Sequence, residues 1–353
     1  MALRVLVTHE RFPPDYGGGG EYVALRTAQG LIAAGVDVQV LTAGDPAITV
    51  HEGVPTTRLP TSRYGFNLRV AAIARAARAA DLIHSFNYHA CLPSLVAARL
   101  VGKPVACHVL ALFGSAWRTM RGPLAGRLFE SYERCMVSRH FDSTLFLSDA
   151  SRQAGIAMGA PPATSFVLNP AIDHARLLPP DRTAPLVLFA GKFEARKGIG
   201  HVVAVARALP GIPFAAVGWG EDVASLRAAA PPNLEIVEAA QDDRFLRYLS
   251  RAAIFFFPSY SETFGIVVAE AMASGAAIVS SIDTMAFDGA LVAPGDEAAM
   301  VAAIRALWHD PARLCALGEA NRRRAAAMSW AAHTDRLLGI YDGMLAAPLR
   351  RAA

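Results

Sequence analysis

Short apolar segments with the composition of β-strands alternate with helical patterns along most of this 353-residue chain. Such alternation favours parallel sheets wrapped by helices. The apolar segments run from Leu3–Val7 to Phe166–Leu168, and the alternation restarts at Leu186–Ala190 and continues to Ala277–Val279. The sequence therefore predicts an α/β protein with two doubly wound domains.

The proline-rich segment 178–185 separates the two series of strands and leaves no room for a helix. We therefore predict a first domain over residues 1–177 and a second domain over residues 186–328. Only helical patterns follow in the last part of the chain. The final one, within residues 329–353, is expected to cross back and brace the first domain.

The composition narrows the class of protein. No apolar run reaches the ~18 uncharged residues of a membrane span and the N-terminus lacks a signal-peptide pattern, so we expect a cytoplasmic protein. The four cysteines lack the spacing of zinc or redox sites, which predicts reduced core thiols. The excess of lysine and arginine over acidic residues lies in residues 1–180. It fits an anionic partner, either an acceptor or a membrane surface, and it also fits a solvated arginine-rich face.

Two loops that follow predicted strands carry residues suited to phosphate. Gly18 and Gly19 precede an amphipathic helix, whose first N–H groups and dipole favour phosphate, although a flexible turn would have the same glycines. Gly191 opens a second loop that contains Lys192 and Lys197, two of the three lysines in the chain. Ammonium groups there would stabilise the charge on a diphosphate leaving group.

A third loop contains two carboxylates eight residues apart, Glu262 before a helix and Glu270 within it. Glu270 lies in an otherwise apolar run, where a carboxylate is unfavourable unless it accepts hydrogen bonds, for instance from ribose hydroxyls. Eight helical residues leave two side chains about 80° apart, so the loop geometry has to bring both to one ligand. A solvated glutamate on the outer face is the alternative.

Together these motifs resemble the retaining glycosyltransferases of family four over nearly the whole chain. The resemblance rests on Gly-Gly-x-Glu at 18–21, the phosphate loop 191–198, Glu-x7-Glu at 262–270, the segment 169–173 and Ser329-Trp330. It implies two facing Rossmann-like domains, the GT-B fold. It also implies transfer of a hexosyl group from a UDP- or GDP-linked sugar to a hydroxyl acceptor. No Asp-x-Asp motif is present, so neither a metal ion nor another cofactor is expected.

The resemblance assigns roles in the second domain. Glu262 and the backbone amides after it hold the donor sugar, and Glu270 holds the ribose. Lys192 stands where the family usually has arginine, which keeps the charge and loses the bidentate fork. The donor-binding and catalytic positions implied in this domain are Gly191, Lys192, Lys197, Glu262, Thr263, Phe264, Gly265 and Glu270.

In the first domain the resemblance places His108 against the reacting sugar. It also assigns Gly18 and Gly19 to phosphate binding. A lone histidine at a strand end is otherwise a common core residue. His84 and His89, at another strand end, are candidates for contacting the acceptor.

Residues 280–289 depart from the family, because relatives carry paired glycines after this strand and this chain does not. The departure leaves the donor sugar unspecified. It also keeps two alternatives open, a catalytically idle sugar-nucleotide-binding subunit and a nucleotide-sugar epimerase of the same fold.

Aromatic and basic residues interleave over residues 113–129, including Trp117, Arg118 and Arg121. This segment predicts either a half-buried helix with solvated arginines or a peripheral contact with an anionic membrane leaflet. The acceptor would be lipid-linked in the second case, and a sugar or small molecule in the first. No nucleic-acid partner is expected.

Overall fold

The computed structural model describes residues 2–15, 18–220, 223–238 and 243–347. It divides into two compact units. The first unit comprises the chain up to Pro170 together with the segment from Trp330 onward, and the second is Ala171–Ser329. Each unit contains a sheet of its own.

The strands of the first unit are β1 (Arg4–His9), β2 (Asp37–Ala43), β3 (Val50–His51), β4 (Val54–Leu59), β5 (Leu82–Phe86), β6 (Val105–Val109), β7 (Ser143–Phe146) and β8 (Ser165–Val167). They form one sheet in the order β3-β4-β2-β1-β5-β6-β7-β8. Only the β3–β4 pair is antiparallel among the described strands of this unit. Every residue of β5 and β6 is buried, as expected for parallel strands with both faces covered.

The helices of this unit are α1 (Gly19–Ala33), α2 (Val70–Ala77), α3 (Cys91–Val101), α4 (Ala116–Arg121), α5 (Pro123–Val137) and α6 (Asp149–Ala157). Two short 3-10 helices, Gly65–Leu68 and Pro162–Thr164, complete it. Helix α6 begins with a capping box, in which Ser148 and Ser151 each bind the other's backbone amide.

The strands of the second unit are β9 (Leu186–Lys192), β10 (Phe214–Trp219), β11 (Leu234–Glu238), β12 (Ala252–Phe257), β13 (Ala277–Ser280) and β14 (Gly289–Leu291). Their order is β11-β10-β9-β12-β13-β14, and all the described pairs are parallel. The helices are α7 (Ile199–Ala208), α8 (Val223–Ala229), α9 (Asp243–Arg251), α10 (Ile266–Ala273), α11 (Glu297–Trp308) and α12 (Pro311–Ala325). Two 3-10 helices, His174–Arg176 and Ala195–Lys197, lie in loops.

The units divide at Pro170, earlier than the boundary we predicted after residue 177. Residues just after Pro170 belong with the second unit because the amide of Ile172 donates to the carbonyl of Met328 at 3.2 Å. The segment predicted as a linker, 178–185, also packs on the second unit. Its Arg182 guanidinium donates to the carbonyls of Ser274 and Gly275 at 3.2 and 2.8 Å.

The last helix, α13 (Trp330–Ala346), returns to the first unit, as predicted. It packs on α1, where the rings of Tyr22 and Trp330 lie 6.0 Å apart edge to face. A Cβ atom at Gly30 would lie 2.3 Å from the Thr334 hydroxyl, so a glycine is required for this close approach.

Among the described residues, no helix has both the length and the apolar character that crossing a bilayer requires. The residues predicted to bind the donor or to take part in catalysis lie at or after the carboxyl ends of parallel strands in the two units. In open α/β sheets this edge is where ligands bind.

Candidate active site

The predicted phosphate loop follows β9 and depends on two glycines. Gly191 and Gly198 have φ values of 148° and 74°, in the region that favours glycine. A Cβ atom at Gly198 would lie 2.0 Å from the carbonyl oxygen of Pro258. The loop therefore packs backbone against backbone on the segment that follows β12.

That packing brings together Lys197 and Glu262, two residues that the sequence assigned to one ligand. The Lys197 ammonium forms an ion pair with the Glu262 carboxylate, and each side chain is 16% exposed. The same ammonium lies 5.7 Å from the centre of the Phe257 ring. Because the pair is only partly screened by solvent, it holds both groups in fixed positions at the edge of the sheet.

Lys192 is more exposed, at 45%, and lies 3.4 Å from the Glu194 carboxylate. It is not in contact with Glu262 in any described interaction. The two lysines of the loop therefore differ: Lys197 is mostly buried against Glu262 and the Phe257 ring, whereas Lys192 is about half-exposed beside Glu194.

The sequence analysis missed Arg196, which lies between the two lysines. Its guanidinium donates to the Ser261 carbonyl at 2.8 Å and to Glu194 at 2.6 Å. Its own carbonyl accepts from the amide of Tyr260 at 2.9 Å. Arg196 thereby ties the phosphate loop to the loop of Glu262, and nothing in the sequence distinguishes it from the many other arginines.

The residues after Glu262 are held in a defined conformation. Thr263 and Phe264 are buried, and Gly265 has a φ of 85° at the start of α10. The Phe264 carbonyl accepts a hydrogen bond from the Thr284 hydroxyl. The backbone predicted to hold the donor sugar is therefore anchored to the neighbouring loop.

Glu270 lies in the second turn of α10 and is 9% exposed. Its Oε2 atom is buried and has no hydrogen-bond partner among the described residues. Burial raises the pKa of Glu270 to about 7, and the charge of Arg176 opposes that rise. A buried carboxylate oxygen without a donor is unfavourable, so Oε2 is suited to accept a hydrogen bond from a ligand hydroxyl.

The segment 280–289, which departs from the family pattern, joins the same cluster of loops. The Ser281 hydroxyl donates to the Ser259 carbonyl at 2.7 Å, and Thr284 binds the Phe264 carbonyl. Both contacts are made by hydroxyl side chains. They connect this segment to the backbone on both sides of Glu262.

In the first unit, helix α1 begins at Gly19, with Gly18 as its extended N-cap residue. A Cβ atom at Gly18 would meet nothing within 4 Å, whereas one at Gly20 would lie 3.2 Å from Leu110. Packing therefore constrains Gly20, and the lack of a side chain at Gly18 leaves the helix N-terminus accessible. Gly17, also part of the predicted glycine loop, lies outside the described residues.

His108 is fully buried near the end of β6, and its ring stacks on Phe86 with centres 4.9 Å apart. Its Nδ1 atom lies 3.1 Å from Nε2 of His84, while its Nε2 atom has no partner among the described residues. Burial and the neighbouring histidines place the pKa of His108 well below its usual value. The ring is therefore neutral.

The suggestion that His84 contacts the acceptor is wrong. His84 is fully buried, and both of its ring nitrogens are engaged, one by His108 and the other by the Tyr341 hydroxyl at 2.7 Å. His89 is half-buried, and its Nδ1 atom lies 2.9 Å from the Asn67 amide. A role for His89 with the acceptor stays a prediction.

Comparison with known families decides the class of this protein. A model described as "Glycosyl transferase 4-like domain" matches residues 17–170, and one described as "Glycosyl transferases group 1" matches residues 184–310. The chain belongs to this glycosyltransferase family. The predicted family and enzyme class are thus confirmed.

Similar proteins agree with this glycosyltransferase assignment. Alpha-maltose-1-phosphate synthase of Mycolicibacterium smegmatis is 26% identical, over 96% of this chain and 99% of that protein. GDP-mannose-dependent alpha-mannosyltransferase of the same species is 28% identical, over 99% and 100%. The structure of Anabaena HepE in complex with UDP-glucose has a TM-score of 0.79 at 16% identity, over 97% and 100%. That structural likeness confirms the predicted GT-B fold with two Rossmann-like domains.

Proposed function

We propose that this glycosyltransferase moves a hexosyl group from a UDP- or GDP-linked sugar to a hydroxyl acceptor with retention of configuration. The observation that carries the proposal is the Lys197–Glu262 ion pair at the strand edge, with the buried carboxylate of Glu270 eight residues further on. The names of two similar proteins support the donor class, since one is GDP-mannose-dependent and the other is bound to UDP-glucose.

In the proposed reaction the bond between the sugar C1 and the β-phosphate oxygen breaks, and negative charge develops on the diphosphate. Lys192 and Lys197 stabilise that charge, and this takes the place of a metal ion. The acceptor oxygen bonds to C1 from the face that the diphosphate leaves. The acceptor proton passes to a β-phosphate oxygen, so no protein nucleophile is needed.

The other residues bind and orient the donor. Glu262 accepts hydrogen bonds from the sugar hydroxyls. The amides of Thr263, Phe264 and Gly265 donate hydrogen bonds to them. Glu270 accepts from the ribose hydroxyls. Within the first unit, the amides at Gly18 and Gly19 are the candidates for binding phosphate, and His108 is the candidate for a hydrogen bond with a sugar hydroxyl.

We expect nucleoside diphosphates and their sugars to raise the melting temperature of the protein. A ligand at 100 times its Kd adds about 2.7 kcal/mol to the free energy of unfolding. The measurement is a thermal-shift screen over UDP-, GDP- and ADP-linked hexoses with EDTA present, followed by assay of nucleoside diphosphate release with candidate acceptors.

The same incubation separates the proposal from its alternatives. Acceptor-dependent release of the nucleoside diphosphate supports transfer. Interconversion of the donor sugar indicates an epimerase, and a thermal shift without any turnover indicates a binding subunit. Either of the last two results contradicts the proposal.

We further propose that helices α4 and α5 dock the protein on an anionic membrane surface, which would present a lipid-linked acceptor. Leu124 and Leu128 are 78% and 73% exposed one helical turn apart, and Arg121 and Arg127 are exposed beside them. Trp117 contributes nothing to this surface, because it is buried and stacks on Phe129 at 4.7 Å. Exposed leucines flanked by arginines match an acyl boundary beneath anionic headgroups.

Flotation with phosphatidylglycerol-containing liposomes tests this surface. The double variant Arg121→Glu, Arg127→Glu should bind at least about thirtyfold more weakly, because each arginine contributes about 1 kcal/mol near an anionic surface. The double variant Arg75→Glu, Arg78→Glu is the matched control, because it makes the same change in net charge at exposed positions in and just after α2. If the wild type stays in the soluble fraction at low salt, the membrane surface is excluded and a soluble acceptor follows.

A further inference from the structure

Trp219 is an exposed tryptophan at the carboxyl end of β10 in the second unit. It is 44% exposed, and its indole has no hydrogen bond or ring contact with the described residues. The other three tryptophans are packed, since Trp117 and Trp330 are buried and Trp308 lies against the core of the second unit. The carboxyl edge of an open α/β sheet is where ligands bind, so Trp219 is placed to contact one.

Backbone contacts fix Trp219 against the phosphate loop. The amide of Phe193 donates to the carbonyl of Trp219 at 2.7 Å. A Cβ atom at Gly218 would lie 1.8 Å from the carbonyl oxygen of Gly191, and one at Gly220 would lie 2.7 Å from that of Phe193. The glycines on both sides of Trp219 are therefore required for this packing, and they set the position of Trp219 beside the loop.

The side chains of Trp219 and Lys192 lie on the same face of the sheet. The two residues are paired in the parallel register of β10 and β9. Paired residues of neighbouring strands are separated by about 4.8 Å, and successive side chains alternate between the two faces. Phe193 and Phe214 belong to the opposite face, where they pack in the core with α7 and α11. The exposed indole is therefore a neighbour of the exposed ammonium of Lys192.

We propose that Trp219 stacks on the base of the bound nucleoside diphosphate, an inference that rests on the proposed function. When the loop with Lys192 binds the diphosphate, the nucleoside is a few bonds away, and the end of the adjacent strand offers it an aromatic surface. Every base has a π-face, so stacking contributes affinity for pyrimidines and purines alike. The choice between bases then depends on hydrogen bonds from other groups.

Tryptophan emission tests this contact in the wild-type protein, without any acceptor. Titration with UDP or GDP should quench the emission, because a stacked base quenches an indole, with N-acetyltryptophanamide correcting for absorbance by the nucleotide. Trp219→Phe should abolish the quenching while calorimetry still detects nucleotide binding. Trp308→Phe is the matched control and should retain the quenching, because Trp308 packs on the core.

Inorganic pyrophosphate separates stacking from phosphate binding, because it has the diphosphate without a base. In Trp219→Ala, Kd for UDP and for GDP should rise at least about fivefold, whereas Kd for pyrophosphate should not change. Trp219→Phe should recover most of this loss, since it keeps an aromatic ring. Leu291→Ala is the control, because it removes an exposed apolar side chain at the end of β14 in the same sheet. It should change none of these affinities.

Two results would overturn the role of Trp219. One is quenching that persists in Trp219→Phe, and the other is an equal loss of affinity for UDP and pyrophosphate in Trp219→Ala. Both would leave the proposed function standing, because nucleotides would still bind to the wild type. A wild-type protein that binds neither nucleoside diphosphates nor their sugars would overturn the proposed function and this inference together.

Discussion

Replacing Lys197 with alanine lowers kcat about a hundredfold while the protein stays folded. The Lys197 ammonium is held by Glu262 and the Phe257 ring at the site where the diphosphate charge is proposed to develop. Losing one such fixed charge raises the barrier by about 3 kcal/mol. Steady-state kinetics at saturating donor, with the melting temperature recorded alongside, measure both effects.

Lys103→Ala is the matched control, because Lys103 is the third lysine of the chain and lies outside the site. Glu262→Ala should cost a similar factor by loosening the donor sugar. Because the two side chains are in contact, the double variant should lose far less than the product of the single losses. Near-normal turnover of either single variant at saturating donor would show that the proposed site is wrong.

The central strands of both sheets were predictable because parallel strands covered on both faces are continuous apolar runs. Strands β3, β4 and β14, which were not among the predicted segments, lack that signal. In β4 (Val54–Leu59) buried and exposed residues alternate, and Arg58 is buried. The Arg58 guanidinium donates to the Phe12 and Pro13 carbonyls, and that contact, far along the chain, explains the buried charge.

The candidate site, like the fold, could be predicted from the sequence only in part. Family motifs indicated Lys197 and Glu262 separately, yet their ion pair depends on Gly198 packing against the Pro258 carbonyl, which only the fold reveals. His84 seemed a candidate for the acceptor because it ends a predicted strand. Its partner Tyr341 lies 257 residues away along the chain, and no local pattern indicates that contact.

Glu270→Gln should make the protein more stable at alkaline pH. The carboxyl of Glu270 has a pKa of about 7 in the folded protein, above its ordinary value of 4.5. The folded state therefore holds a proton that the unfolded state has lost, and stability decreases as pH rises from 4.5 to 7 and then stays level. The total decrease is about 3 kcal/mol, which the neutral glutamine avoids.

Thermal unfolding at pH 5, 7 and 8.5 measures this difference. The variant and wild type should have similar stability at the lowest pH, and the variant should be more stable at the higher two. Glu319→Gln, at an exposed position of the same unit, is the control that should show no such divergence. A Glu270→Gln variant that is less stable at every pH would mean that the protein itself satisfies the carboxylate.

The same substitution should weaken donor binding, because the ionised carboxylate accepts hydrogen bonds from two ribose hydroxyls and glutamine offers a single neutral oxygen. A hydrogen bond to a charged group contributes about 1.5–3 kcal/mol, so Kd for the nucleoside diphosphate should rise at least tenfold. The affinity of the wild type for the nucleoside diphosphate should also increase as pH rises toward 7, since the ligand selects the ionised form of Glu270. Calorimetric titration across this range measures both effects.

A gain in stability together with a loss of affinity would identify a carboxylate that is retained for ligand binding at the expense of folding. Unchanged affinity would exclude Glu270 from the ribose site.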